Sequence, residues 1–214
     1  MDKSEKFWNG LSRKYDSKAK DKTFAQILSR SKKFLNPDDV VLDFACATRL
    51  YSFQFSNSVK RIYAFDTSSG MIDLAKDEAN KTGNTNIAFS QSTLFDEAYE
   101  EASFDVILAF NILLYFNEVD VKKIVGRMHK LLKPNGRIIT STACLKEKRT
   151  LIATISGSII FLLQKLGILP YLRFLKIDEL KQTVALSGFN IVEEGVLIEK
   201  PALEYFIAAE KSIS

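Results

Sequence analysis

Two periodicities alternate along this chain. Positions 24, 27, 28, 31, 34 and 35 are Phe24, Ile27, Leu28, Ser31, Phe34 and Leu35, the i, i+3, i+4, i+7 spacing of an amphipathic helix. Asn36-Pro37-Asp38-Asp39 stops it. Val40–Cys46 follows as a short apolar run with one carboxylate inside, the pattern of a buried strand, and Arg61–Phe65 is a second strand ending in Asp66. Met71, Ile72, Leu74 and Ala75 give a helix over 68–80 its inner face. Thr85–Gln91 and Phe104–Phe110 are further strands; the latter is apolar almost throughout, as a strand covered on both faces must be. Val121, Ile124, Val125, Met128, Leu131 and Leu132 form a helical stripe that ends at Lys133-Pro134-Asn135-Gly136, and Arg137–Thr142 returns as a strand. A helix over Asp178–Ser187 precedes two strands, Phe189–Glu194 and Leu203–Ala209, which have no helix between them and are expected to pair antiparallel.

Strand and helix alternate from 40 to 142 without a linker or an internal repeat, which predicts an α/β sheet with helices on both faces. Right-handed crossovers place the carboxyl ends of its parallel strands on one edge, where ligands of such sheets bind. The 214 residues are read as a single domain: a helical cap over 1–36, a core over 37–145, an apolar insertion over 146–176, and a closing helix and strand pair over 177–214.

Composition narrows this picture. With 46% hydrophobic and 26% charged residues the chain is neither disordered nor collagen-like. Two cysteines and one histidine are too few for a Cys/His zinc site or a disulfide framework, so Cys46 and Cys144 are read as reduced, buried thiols. Residues 1–33 carry ten Lys or Arg against four Asp or Glu, although the whole chain is only +4. Such a segment suits an anionic substrate, a lipid surface, nucleic acid or simply a solvated helix face; no aromatic-interleaved basic motif for RNA is present, and no nucleic-acid partner is expected. The opening MDKSEKFWNGLSRKYD has no apolar core of a secretory signal, which predicts a cytoplasmic protein. Leu151–Leu163 is the most membrane-like stretch, at thirteen residues against the roughly 20 a spanning helix needs. Glycine is scarce, 9 residues in all, with none between Gly10 and Gly70.

On the ligand edge, the loop after Leu42-Asp43 and the acid Asp66 stand about twenty residues apart. In dinucleotide-type folds the first lets a ligand approach backbone amides and the second accepts bonds from ribose hydroxyls; an Asp at a strand end is also an ordinary helix N-cap. At these residues the chain resembles the class I S-adenosylmethionine-dependent methyltransferases, particularly those acting on small molecules, quinones and lipids, over about Phe7 to Ala209. Val41-Leu42-Asp43-Phe44-Ala45-Cys46-Ala47-Thr48-Arg49 stands where the family has V-L-D-x-G-C-G-T-G, and Ala64–Ile72 matches G-x-D-x-S-x-x-M-L. Phe89–Thr93 occupies its F-x-Q-G-D position, Ser103–Ile107 matches S-F-D-x-V, and Leu131–Arg137 matches L-L-K-P-G-G. Leu180 and Ser187-Gly188-Phe189 resemble the closing E-L-…-A-G-F. The resemblance implies a doubly wound, mostly parallel seven-stranded sheet with a reversed last strand, and S-adenosylmethionine as cofactor. It assigns the ribose to Asp66, with Thr67 and Met71 beside it, and the methionine end to Asp43 and the 45–49 loop. The adenine falls to Ser92, Thr93 and Leu94. Asn111 and Tyr15, the latter in the amino-terminal Tyr15-Asp16 that closes over cofactor in such proteins, complete the implied set.

The departures are specific. Ala45, Ala47 and Arg49 replace all three glycines of the first motif, and a Cβ makes positive φ costly. A guanidinium facing the sulfonium would repel it by roughly 1 kcal/mol at about 4 Å in water. Arg49 can weaken cofactor binding, pair with the methionine carboxylate, or point harmlessly to solvent, and the sequence leaves all three open. Thr93 stands where an Asp usually meets the adenine amino group. Tyr115 replaces the histidine of N-x-L-x-H and is a candidate for orienting an acceptor, or a packing aromatic. Since methyl transfer is an in-line displacement governed by positioning, no universal catalytic residue is expected. His129, at the border of its helical stripe, is read as a structural residue. The insertion over 150–172, with Ile152, Ile155, Ile159 and Leu163 on one helix face and basic flanks, suits a lipophilic acceptor, contact with a membrane surface, packing on the core or a homodimer interface. The expected activity is methyl transfer to a small, apolar acceptor; the alternative is a non-catalytic or repurposed protein that keeps the fold with weakened cofactor binding.

Overall fold

The computed structural model describes residues 3–19, 22–145, 162–166, 168–199 and 203–212. Its strands are β1 (Val40–Phe44), β2 (Arg61–Asp66), β3 (Ile87–Gln91), β4 (Phe104–Phe110), β5 (Leu132–Leu145), β6 (Leu175–Lys176), β7 (Phe189–Ile198) and β8 (Leu203–Lys211). The helices are α1 (Lys3–Ala19), α2 (Lys22–Ser31), α3 (Leu50–Phe55), α4 (Ser69–Thr82), α5 (Glu118–Leu131) and α6 (Ile177–Leu186).

The strands form one sheet in the order β3-β2-β1-β4-β5-β8-β7, with the two-residue β6 beside β5. Pairings from β3 to β5 are parallel, and β8 runs antiparallel to both neighbours. The last strand is therefore the reversed one, inserted between β5 and β7. This α/β sheet is the expected one, with β6 as an eighth, minor strand. The chain winds outward from β1 to β3, then returns to place β4 on the other side of β1. That reversal opens a crevice at the carboxyl ends of β1 and β4.

Alternation along the strands builds two cores. Ile107 and Ala109 of β4 join Leu42 and Phe44 against Val121, Ile124, Val125 and Met128 of α5 and Leu180 and Val184 of α6. Val106, Leu108 and Phe110 face the other way, onto Ile27 of α2, Phe55 of α3 and Ile72 of α4. The period of 2 in side-chain direction thus feeds both layers from one apolar strand.

Among the boundaries that differ from the sequence reading, two change the kind of element. Lys133-Pro134-Asn135-Gly136 does not separate helix from strand; it lies inside β5, where the pairing with β4 jumps from Phe104–Leu132 to Val106–Arg137. Asn135 takes φ 61°, and a Cβ at Gly136 would come within 2.9 Å of the Lys133 carbonyl, so the motif is a bulge that needs its glycine. The amphipathic pattern of 24–35 divides into α2 and a 3₁₀ turn over Lys32–Phe34. His129 is half-buried, edge-on to Phe189 at 5.2 Å, with burial lowering its pKa. Cys46 and Cys144 are free and buried.

Candidate functional site

A cavity of about 770 Å³ opens at the β1/β4 crevice. Its floor is Phe44, Ala45 and Ala47 after β1, Phe65, Asp66 and Thr67 at the end of β2, and Phe110, Asn111 and Ile112 after β4. Met71 of α4 and Thr93 close one end. Helix α1 forms a roof with Phe7, Trp8 and Tyr15, and Gln164, Lys165, Leu169, Pro170 and Tyr171 complete the wall.

The loop after β1 adopts the backbone of a glycine loop without glycines. Ala45 has φ 58°, Ala47 φ 48° and Arg49 φ 90°. Left-handed backbone costs an L-residue roughly 1–2 kcal/mol, so this conformation is held by its surroundings. The Cys46 amide donates to the Phe65 carbonyl (2.9 Å), the Arg49 amide to the Cys46 carbonyl (3.0 Å), and the Ala47 amide to Oδ2 of Asp66 (3.1 Å). Oδ1 of Asp66 accepts from the Ser68 amide at 2.8 Å. Burial raises the Asp66 pKa, and the N–H donors of Ser68, Ala47 and Thr67 offset part of that rise. A carboxylate has about four acceptor positions, so two used by backbone leave capacity for ligand hydroxyls.

Arg49 faces neither the cavity nor open solvent. Its Nη1 donates to Oδ2 of Asp16 (2.9 Å) and to the Thr48 carbonyl (2.7 Å), while Nη2 lies 3.8 Å from Oε1 of Glu78 on α4. Thr48 Oγ1 donates to the other oxygen of Asp16. Both oxygens of the acid following Tyr15 are thus bound to the loop. Nearer its amino terminus, α1 is seated on α4: Asn9 Oδ1 accepts from Ser68 Oγ (2.6 Å) and the Gly70 amide (3.0 Å). Trp8 packs edge-on to Tyr15 (6.4 Å) and Tyr115 (5.3 Å).

Of the residues singled out from sequence, Tyr15, Ala45, Ala47, Asp66, Thr67, Met71, Thr93, Asn111 and Tyr115 line the cavity. Asp43, Cys46, Arg49, Ser92 and Leu94 do not. Asp43 is buried beneath the loop, accepts from Ser52 Oγ, and is pushed by burial to a pKa of about 7. Cys46 is buried and its thiol raised by the same effect. Ser92 donates to Asp96 (2.7 Å), and Leu94 belongs to the α5-side core. Tyr115, in a 3₁₀ turn after β4, has its hydroxyl pKa pushed up to about 12 by burial, and Tyr15 is raised further still. Asn111 takes φ 53°, which its short polar side chain tolerates; its backbone amide donates to the Ser141 carbonyl (2.8 Å), and its side-chain amide, oriented with the nitrogen towards the buried Glu204, donates there at 2.7 Å.

The α1 wall, apart from Tyr15, was missed from sequence, as were Phe44, Phe65, Phe110, Ile112 and Phe116. The available signal was the spacing of Phe7, Trp8 and Tyr15 within a basic segment. Of the insertion over 150–172, residues 150–161 and 167 lie outside the described residues, including Ile152, Ile155 and Ile159. Gln164, Lys165, Leu169, Pro170 and Tyr171 line the cavity, whereas Leu162, Leu166 and Ile168 are exposed. Among the described residues no helix is long and apolar enough to cross a membrane, and no three His, Cys, Asp or Glu gather to hold a metal ion.

This crevice, loop and acid are those of a methyltransferase domain, and residues 35–186 match the family model of that name. The chain belongs to this family and to the class I S-adenosylmethionine-dependent methyltransferases. The demethylmenaquinone methyltransferase of Lactococcus lactis subsp. lactis (strain IL1403) is 27% identical over 144 residues, 63% of this chain and 56% of that protein. The ubiquinone biosynthesis O-methyltransferase of Bradyrhizobium sp. (strain ORS 278) is 25% identical over 161 residues, 75% of this chain and 62% of that protein. The chain thus spans less than two thirds of either relative. The structure of Burkholderia thailandensis 1,6-didemethyltoxoflavin-N1-methyltransferase, with 1,6-didemethyltoxoflavin and S-adenosylhomocysteine bound, shares the fold: TM-score 0.77 at 16% identity, covering 99% of this chain and 88% of that one.

Proposed function

We propose that this protein binds S-adenosylmethionine in the β1/β4 cavity and transfers its methyl group to a small, apolar, planar acceptor. The observation that carries the reading is the loop: Ala45, Ala47 and Arg49 hold the left-handed φ of the glycines they replace, and Arg49 is turned away from the cavity. The residues present therefore fit the cofactor despite the lost glycines. Asp66 would hold the ribose hydroxyls, Ala45 and Ala47 the methionine end, and Thr93 the adenine. When bound, the cofactor supplies an electrophilic methyl carbon on a positive sulfonium.

The chain's own contribution is positioning and exclusion of water. Trp8, Tyr15, Tyr115 and Phe116 give the acceptor side flat apolar surfaces, and Leu169 and Pro170 cover it. The Tyr115 hydroxyl, protonated at neutral pH, donates a hydrogen bond to the acceptor and does not serve as a base. An acceptor of this site is thus one whose nucleophile is already acidic or electron-rich. The quinone-related names of the two relatives agree with that chemistry. The exposed Leu162, Leu166 and Ile168 beside the wall suit delivery of such an acceptor from a lipid surface.

The alternative, a non-catalytic or repurposed protein, is favoured by the two methyl groups that Ala45 and Ala47 place where the family motif has glycine. Calorimetric titration with S-adenosylmethionine and S-adenosylhomocysteine separates the two. Binding to the wild type that disappears in Asp66→Ala supports the enzyme; no binding at millimolar ligand overturns it.

A further inference from the structure

Helix α1 roofs the cavity, yet among its described side chains only Ser12 is fully buried. Phe7, Trp8, Leu11 and Tyr15 are half-buried, and directed polar contacts add to that packing. One group of these contacts is at Asn9 and another at Asp16. The second is the unusual one. The Arg49 guanidinium sits between two carboxylates from different helices, Asp16 of α1 and Glu78 of α4, and also holds its own loop through the Thr48 carbonyl. Its side chain is 17% exposed, so water screens the pairs only in part. Without the guanidinium, Asp16 and Glu78 would lose the cation they share. Tyr15, one residue before Asp16, lines the cavity, and Trp8, two turns earlier, rests on Tyr15 and Tyr115.

We propose that Arg49 is a positioning residue, the latch that ties the α1 roof to the cofactor loop and so keeps Trp8 and Tyr15 closed over the cavity. The residue that breaks the glycine motif then compensates for breaking it: the side chain that a glycine loop lacks fastens the lid instead. The functional consequence rests on the cavity being the cofactor site, but the latch itself does not. Breaking it frees α1 to open and lowers affinity for any ligand held beneath, while the intact latch makes lid closure sensitive to salt.

Trp8 is the chain's single tryptophan and reports the lid directly. The test is acrylamide quenching of Trp8 fluorescence in the ligand-free full chain, with thermal melting to show that each variant is folded. Arg49→Met keeps the packing over Phe53 (5.3 Å in the wild type) but removes the charge; Arg49→Lys keeps a charge; Asp16→Asn removes the partner's charge while keeping one oxygen for Thr48 and every loop residue. Arg49→Met and Asp16→Asn are expected to increase quenching and red-shift the emission, with Arg49→Lys nearer the wild type. Salt at about 0.5 M should move the wild type towards Arg49→Met and leave that variant unchanged. In a second arm, the dissociation constant for S-adenosylhomocysteine should rise on the order of fivefold in Arg49→Met, with recovery in Arg49→Lys. If Arg49→Met and Asp16→Asn are quenched like the wild type, the latch is wrong. If the wild type binds no S-adenosylhomocysteine, the cofactor reading falls and the quenching arm still judges the latch. Should Arg49→Met fail to fold, Asp16→Asn decides alone.

Discussion

The amide of Ala47 points at Oδ2 of Asp66 from 3.1 Å, so the loop after β1 is fastened to the end of β2 without any ligand. The same carboxylate takes the Ser68 amide at 2.8 Å. Asp66 is therefore part of the scaffold of the cavity as well as of its lining. Replacing it by Ala removes the acceptor of the Ala47 and Ser68 amides at the wall of an open cavity, a loss of about 1 kcal/mol because water can reach the site. We expect Asp66→Ala to lower the unfolding free energy from urea titration by that amount and to abolish binding of S-adenosylhomocysteine by calorimetry. A variant that binds normally would show that the ribose is held elsewhere.

Ala47→Gly should stabilise the protein. At φ 48° the methyl group is a liability, and removing it relieves strain of about 1 kcal/mol, reduced by the extra freedom glycine has when unfolded. Ala109→Gly in β4 is the control: buried in the sheet core at an ordinary strand position, it should destabilise by roughly 1 kcal/mol. Urea titrations of both variants check the opposite signs. A destabilised Ala47→Gly would mean that the methyl is packed rather than strained.

The legible parts of the fold were those where one pattern admits one structure. Phe104–Phe110 is apolar almost throughout because both faces are covered, and its bounds emerge from sequence unaltered. The ligand edge followed from topology, and with it Asp66 and the loop after β1; Ala45, Ala47, Thr93 and Asn111 followed from the family resemblance. The α1 roof did not, since Phe7, Trp8 and Tyr15 lie in a basic segment that reads equally as a solvated helix face. Neither did the direction of Arg49: a long side chain can reach in several directions, and its partner Asp16 lies 33 residues away. The Lys133–Gly136 turn looked like a stop because a bulge and a loop use the same Asn-Gly chemistry.

Tyr115 tests what the acceptor needs. Burial holds its hydroxyl at a pKa of about 12, so it remains a donor throughout the working range of pH. Tyr115→Phe keeps the ring against Trp8 and removes one hydrogen bond, which predicts a fall in kcat of about tenfold or less, with an unchanged pH profile. Loss of all activity, together with the disappearance of an ionisation near neutral pH, would instead identify Tyr115 as the base.

Asp43 makes stability depend on pH in a direction opposite to that of a salt-bridged acid. Its carboxyl is buried, and desolvation raises its pKa from 3.8 to about 7; the nearby Asp66 adds to the rise, and the Ser52 hydroxyl opposes it. Between those two values the native state keeps a proton that the unfolded chain has released, so the native state binds more protons and stability falls as pH rises. The stabilisation is fully present below about pH 4 and is lost as pH passes through about 7, beyond which the native state carries a buried charge. Asp66, also raised by burial, acts in the same sense. Asp43→Asn cannot ionise yet retains an oxygen for Ser52. Urea midpoints at about pH 5 and about pH 8 should therefore differ less in this variant than in the wild type, with its relative gain at the higher pH. An equal difference in both proteins would place the titration on another group.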